Sequence, residues 1–290
     1  GSSQVNPTFI DNLYDALADQ LNIVGYAQGF DRKNPNPNEK LISEAVEVAR
    51  NAETVLLCVG LDEILESEGM DRLHMDLSKS QKKLINDVTA VNKNIILVLS
   101  GGSPFVMPKR GSYRAAIHGY LGGQAGGAAM ANAILGRVNP SGKLNESWPE
   151  KLEDNPSYNY FPSKERTSEY REGIFVGYRY YDTAHKSVRY PFGYGISYTS
   201  FAYDNLAVDK NKVSFTLTNT GERDGAEVAE VYISAKNSRI YRAEKELKGF
   251  RHLGSIMQGH PDMKSIKGVD MSAGSLGQGF SAACGMALAA

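Results

Sequence analysis

Cysteine is scarce. Only Cys58 and Cys284 occur among 290 residues. Two cysteines imply no disulfide framework, which fits a reducing compartment. No signal peptide opens the chain, so a cytoplasmic location is expected. Long apolar runs are missing too. No stretch reaches the roughly 18 uninterrupted apolar residues of a spanning helix, so no membrane partner is expected. Basic runs stop at two residues, as at Lys82-Lys83, and the formal net charge is −1. No bulk field therefore draws nucleic acid or anionic lipid. The five histidines, at 74, 118, 185, 252 and 260, show no ligand spacing, and no Cys-x-x-Cys occurs. A metal site is not expected. Gly-x-Ser-x-Gly is absent, which removes support for a nucleophile elbow.

What remains is an ordinary globular composition, 41% hydrophobic and 22% charged. Apolar spacing predicts helices over 11–19, 38–51, 80–91 and 124–135. Continuous apolar runs predict buried strands over 54–60 and 94–99, and a short strand is expected at 23–27. Cys58 lies in the first of those runs, where a buried thiol is the simplest reading. This alternation predicts an α/β fold: a mainly parallel sheet with helices on both faces, over residues 1–150. Residues 151–199 are rich in Pro, Tyr, Gly and Asn and read as an ordered connection that packs along the first domain. Such aromatics can also line sugar sites. From about 200, alternation in Val213–Asn219 and turns at Thr220-Gly221 and Asp224-Gly225 predict a β-sandwich. Only about four strands precede residue 253, so an immunoglobulin-like sandwich would be partial. Residues 254–290 are Gly-rich, with little β alternation.

Ligands of parallel sheets bind beyond the carboxyl ends of the strands. The loop after 54–60 lies at such an end and holds Asp62, Glu63, Glu66, Glu68, Asp71 and Asp76. Ser100–Ser103 lies at the next. Glycosidic cleavage usually needs two carboxyl groups, one to protonate the leaving oxygen and one to attack or to activate water. The acid needs its pKa raised by burial or a like charge. Glu66 and Glu68 could repel each other enough to help, and Arg72 could anchor the loop. On spacing alone, a solvated acidic loop is the simpler account. Gly274-Ser-Leu-Gly-Gln-Gly279 could set backbone N–H groups around an anion, but it lacks the Lys-Ser/Thr of a P-loop.

Longer segments carry more. They include Gly1-Ser-Ser-Gln-Val-Asn-Pro, Tyr26-Ala-Gln-Gly, Glu66-Ser-Glu-Gly-Met-Asp-Arg, Met75-Asp-Leu and Ser100-Gly-Gly-Ser-Pro. Tyr120-Leu-Gly-Gly-Gln, Val138-Asn-Pro-Ser-Gly-Lys-Leu and Glu169-Tyr-Arg-Glu-Gly-Ile-Phe-Val-Gly-Tyr-Arg-Tyr-Tyr follow. Pro191-Phe-Gly-Tyr-Gly-Ile-Ser-Tyr-Thr and Glu244-Lys-Glu-Leu-Lys-Gly-Phe complete the series. Together, residues 1–253 resemble the part of a glycoside hydrolase family 3 β-glucosidase that follows its barrel in the common domain order. The resemblance implies an (α/β)6 sandwich, N-terminally truncated, then a partial fibronectin type III-like domain over 200–253. It implies that Glu68 is the general acid/base of a retaining mechanism acting on a β-glucoside or oligosaccharide. No cofactor is implied. Met70, Lys109 and Ala243 stand where an aromatic, a Trp and a Pro are usual. The family's nucleophilic Asp lies on a (β/α)8 barrel that this chain lacks, so the barrel is an expected partner and the chain alone is expected to be inactive. A non-catalytic carbohydrate-binding or interaction module is the alternative.

Residues 257–290 resemble a different family. Gly259-His-Pro-Asp-Met and Gly268-Val-Asp-Met-Ser-Ala-Gly-Ser-Leu-Gly-Gln-Gly look like the thiamine diphosphate-binding part of transketolase. The segment lacks that family's metal-binding stretch and partner domain. It reads as a fused fragment that interrupts the sandwich near Leu253, and a thiamine diphosphate-dependent transketolase fragment is the second alternative for the function.

Overall fold

A computed structural model describes residues 6–209 and 212–248. The chain divides into two compact units, with the break between Ala131 and Asn132.

In the first unit, polar caps set where the helices start. Asn12 accepts from the Asp15 N–H at the head of α1 (Leu13–Ala18), and Asn38 accepts from Lys40 and Leu41 N–H at the head of α2 (Glu39–Asn51). Ser78 accepts from the Gln81 N–H at the head of α3 (Lys79–Val91). Each side chain satisfies donors that a helix start leaves open. The far ends of α2 and α3 are tied as well: Asn92 donates to the Ala49 and Ala52 carbonyls at 2.9 and 2.8 Å.

Three strands form one parallel sheet in the order β1 (Val55–Gly60), β2 (Ile95–Ser100), β3 (Ala115–His118). Helix α4 (Gly126–Ile134) follows. The expected α/β character is present: the strands are parallel, and α3 joins β1 to β2. The two sheet faces differ. Leu57, Val59, Ile95, Leu97 and Leu99 point one way and are 0–7% exposed. With Ile42 of α2 and Leu84, Ile85 and Val88 of α3 they make the core. Leu56, Cys58, Ile96, Val98 and Ile117 point the other way, and solvent reaches all of them.

Two expectations are corrected here. Cys58 is exposed, not buried, because it lies on that open face of an outer strand. Neighbouring side chains still crowd its thiol and push its pKa up. Residues 23–27 form no strand. Gly25 lies against Val48 of α2, where an added Cβ would sit 3.0 Å from a Val48 methyl.

The second unit is built from short antiparallel pairs. β4 (Trp148–Pro149) pairs with β5 (Val188–Tyr190). Between them lie a 3-10 turn, Leu152–Asp154, and α5 (Tyr178–Thr183). β6 (Phe201–Asp209) pairs with β7 (Lys212–Asn219), and β8 (Tyr232–Ile233) with β9 (Glu246–Leu247). Four strands thus follow residue 200 among the described residues, in two separate pairs. Trp148 and Tyr181 are buried, and burial pushes the Tyr181 phenol up to about 12. Lys143 donates to the Gly195 carbonyl at 2.6 Å and pairs with Glu227 at 3.0 Å, with both side chains largely buried. No helix among the described residues is long and apolar enough to cross a membrane. The thiamine-type segment, 257–290, lies outside the described residues.

Candidate active-site loops

Both loops singled out in the sequence leave the carboxyl ends of adjacent strands. Their roots lie close together where Gly60 pairs with Ser100. An added Cβ on Gly60 would sit 1.9 Å from the Ser100 carbonyl oxygen, so only glycine fits. Gln81, fully buried on α3, grips Gly60 from the other side. Its amide accepts from the Gly60 N–H and donates to the Gly60 carbonyl, both at 2.9 Å.

The first loop then folds on itself. Asp62 is buried and accepts from the Ile64 and Leu65 N–H groups at 3.1 and 3.0 Å. Glu66 follows, half-buried. One of its oxygens accepts from the Gly102 N–H and the other from the Ser103 hydroxyl, each at 2.8 Å. A carboxylate between two donors is a charge-assisted staple. It ties the loop after β1 to the loop after β2. Further on, Arg72 donates to the Pro104 carbonyl at 2.7 Å, and the Val106 N–H donates to the Met75 carbonyl at 2.8 Å.

Glu66 and Arg72 therefore bracket a five-residue tip, 67–71. Glu68 is its second residue and is exposed. Gly69 makes the bend with φ +80°, in the left-handed region that glycine takes readily, and has open space around it. Met70 and Leu73 are also exposed, at 61% and 87%.

His118 closes β3 beneath the second loop. Its ring centroid lies 4.1 Å from that of Tyr120 and 6.5 Å from that of the buried Phe105. Burial lowers its pKa to about 4, against a smaller opposing hydrogen bond with the Leu99 backbone. It is neutral at pH 7 and serves as packing.

The six acidic residues of the loop are thus spread over different tasks. Asp62 shapes the turn and Glu66 staples. Glu63 pairs with Arg32 at 2.7 Å and Asp76 with Lys82 at 2.9 Å, both near the surface. Glu68 and Asp71 belong to the exposed tip. Sequence reasoning does not single out Gly60 or Gln81, and it takes Glu66 for a charge beside Glu68 and not for a staple. A glutamine inside the apolar stripe of α3 was the one visible hint.

Comparison with known proteins decides what this geometry belongs to. Residues 1–178 match the model of the glycosyl hydrolase family 3 C-terminal domain. This chain belongs to glycoside hydrolase family 3. It is 42% identical over 262 residues to thermostable β-glucosidase B of Acetivibrio thermocellus, covering 86% of this chain and 35% of that protein. It is equally identical, over 256 residues, to an exo-α-(1→6)-L-arabinopyranosidase of Bifidobacterium longum, covering 86% of this chain and 34% of the relative. Among solved structures, the family 3 β-glucosidase of Bifidobacterium adolescentis is 44% identical with a TM-score of 0.82, over 87% of this chain and 38% of that one. The chain thus spans about a third of the length of these relatives. Residues 230–290 match a second model, the transketolase thiamine diphosphate-binding domain.

Proposed function

We propose that this chain carries the acid/base half of a retaining β-glucosidase site, with Glu68 as the proton donor. The observation that supports this is the bracketed tip: an exposed carboxyl held out between a staple at Glu66 and a tie at Arg72. A second carboxylate for attack on the sugar is provided by the barrel of the whole enzyme. Glu68 protonates the leaving oxygen in the first step and takes a proton from water in the second. An acid working at neutral pH needs burial or a neighbouring charge. The tip is exposed here, so the barrel that closes over it provides the covering. The substrate class is terminal β-D-glucosides. The arabinopyranosidase among the relatives fits the same division of labour, since an acid/base on this tip serves the leaving oxygen whichever sugar is bound.

The test is reconstitution. The purified 290-residue chain should not hydrolyse an aryl β-glucoside. Mixed with the remaining two thirds of the Acetivibrio thermocellus enzyme it should, and Glu68→Gln should lower that rate by on the order of 10²-fold or more. Hydrolysis by the chain alone that Glu68→Gln abolishes would overturn the half-site reading.

A further inference from the structure

The second unit holds a depression of about 300 Å³, at the lower end of the range for small-molecule pockets. Four rings line it: Tyr160, Phe175, Tyr180 and Tyr241. Phe175 and Tyr241 pack with centroids 4.9 Å apart and planes tilted by 38°, and so form one shelf. Glu172 lines the same depression and is half-buried. Its backbone carbonyl accepts from the Phe175 N–H at 2.9 Å, which closes the turn that carries both. Among the described residues, no hydrogen bond or ion pair reaches its carboxylate. A carboxylate partly withdrawn from water, with no donor from its own chain, is suited to take donors from a ligand.

We propose that this depression is a binding site for a neutral saccharide, with room for one hexose ring of an oligosaccharide. The C–H face of a pyranose lies well on the electron-rich face of an aromatic ring. Neighbouring sugar hydroxyls donate to a carboxylate such as Glu172. Arg171, also in the lining, supplies the complementary donors. Its Nε–H goes to Glu169 at 2.6 Å and another N–H meets Tyr160, which leaves the rest of its five donors for a ligand. Rings around a carboxylate also suit an organic cation. Here the rings already carry cations. Arg171 lies 4.7 Å from the centre of the Tyr160 ring, and the Lys186 ammonium donates to the Tyr180 hydroxyl. A further positive charge is repelled there, and a neutral sugar is not. The site does not depend on Glu68, which belongs to the first unit.

Calorimetry or saturation-transfer NMR of the full 290-residue chain with cellobiose tests this without reference to catalysis. Saturable binding in the millimolar range is expected. Glu172→Gln keeps the side-chain shape and should weaken binding roughly fivefold or more. Tyr241→Ser, at a position 76% exposed and so replaceable without unfolding the unit, should weaken it roughly tenfold or more. Leu206→Ser, 72% exposed on β6, and Glu68→Gln should each change it less than about twofold. Absence of saturable binding overturns the site, as does binding that Glu172→Gln and Tyr241→Ser both leave unchanged. Cellobiose binding lost only in Glu68→Gln assigns the sugar to the tip and overturns it too. Choline binding that Glu172→Gln removes, with no cellobiose binding, overturns the choice of ligand. Cellobiose binding that responds as stated, with hydrolysis by the reconstituted enzyme indifferent to Glu68→Gln, would keep this site and sink the proposed function.

Discussion

Glu66 and Glu68 stand two residues apart in one loop and lead different lives. Glu66 is drawn inward and engaged by two donors from the neighbouring loop. Glu68 is carried outward on a tip whose ends Glu66 and Arg72 hold down. The contrast shows that a carboxylate's neighbours, more than its place in the sequence, decide its work. A charge met by donors inside the chain holds the fold. A carboxyl on a braced, exposed tip contributes less to holding the two loops together.

The contrast can be broken at its base first. Gly60→Ala forces a Cβ into the Ser100 carbonyl and should cost about 4 kcal/mol or more in a urea titration, loosening both loops together. The next effect is a pH step. His118 has a folded pKa of about 4 against an ordinary 6.5, so its contribution is fully present above pH 6.5. It is lost as pH falls from 6.5 to about 4, because the unfolded chain then binds the proton more readily. The loss should be about 3 kcal/mol, and His118→Phe should flatten that window in a stability-versus-pH series. Smaller again is the staple itself. Glu66→Ala removes two charge-assisted bonds from a half-buried position and should cost about 2 kcal/mol. Smallest is Glu68→Ala, which should stay within about 0.5 kcal/mol of wild type in the same titration. Equal losses at Glu66 and Glu68 would erase the distinction.

Much of the first unit was legible in advance. Strong periodicity placed α2 and α3, and continuous apolar runs placed β1 and β2, to within a residue or two of the structure. Both loops followed from those strands. β3 was not legible, because Ala115-Ala-Ile-His118 is short and carries one large apolar residue. The open sheet face was not legible either, since a run such as Val-Leu-Leu-Cys-Val reads as buried on both sides. The staple was hidden for another reason. Its donors lie 36 and 37 residues away, and one is a backbone N–H, which leaves no mark in a sequence. Glu68 itself became a candidate through the length of its family resemblance, while its loop alone suggested only a solvated acidic stretch. The structure adds the brace around it.

The most direct measurement of the Glu68 role compares leaving groups in the reconstituted enzyme. A general acid matters most when the departing oxygen is a poor leaving group. Glu68→Gln should therefore slow hydrolysis of an alkyl β-glucoside by on the order of 10²-fold or more, and of a nitrophenyl β-glucoside by clearly less. Equal slowing of both substrates, or none, would contradict the account.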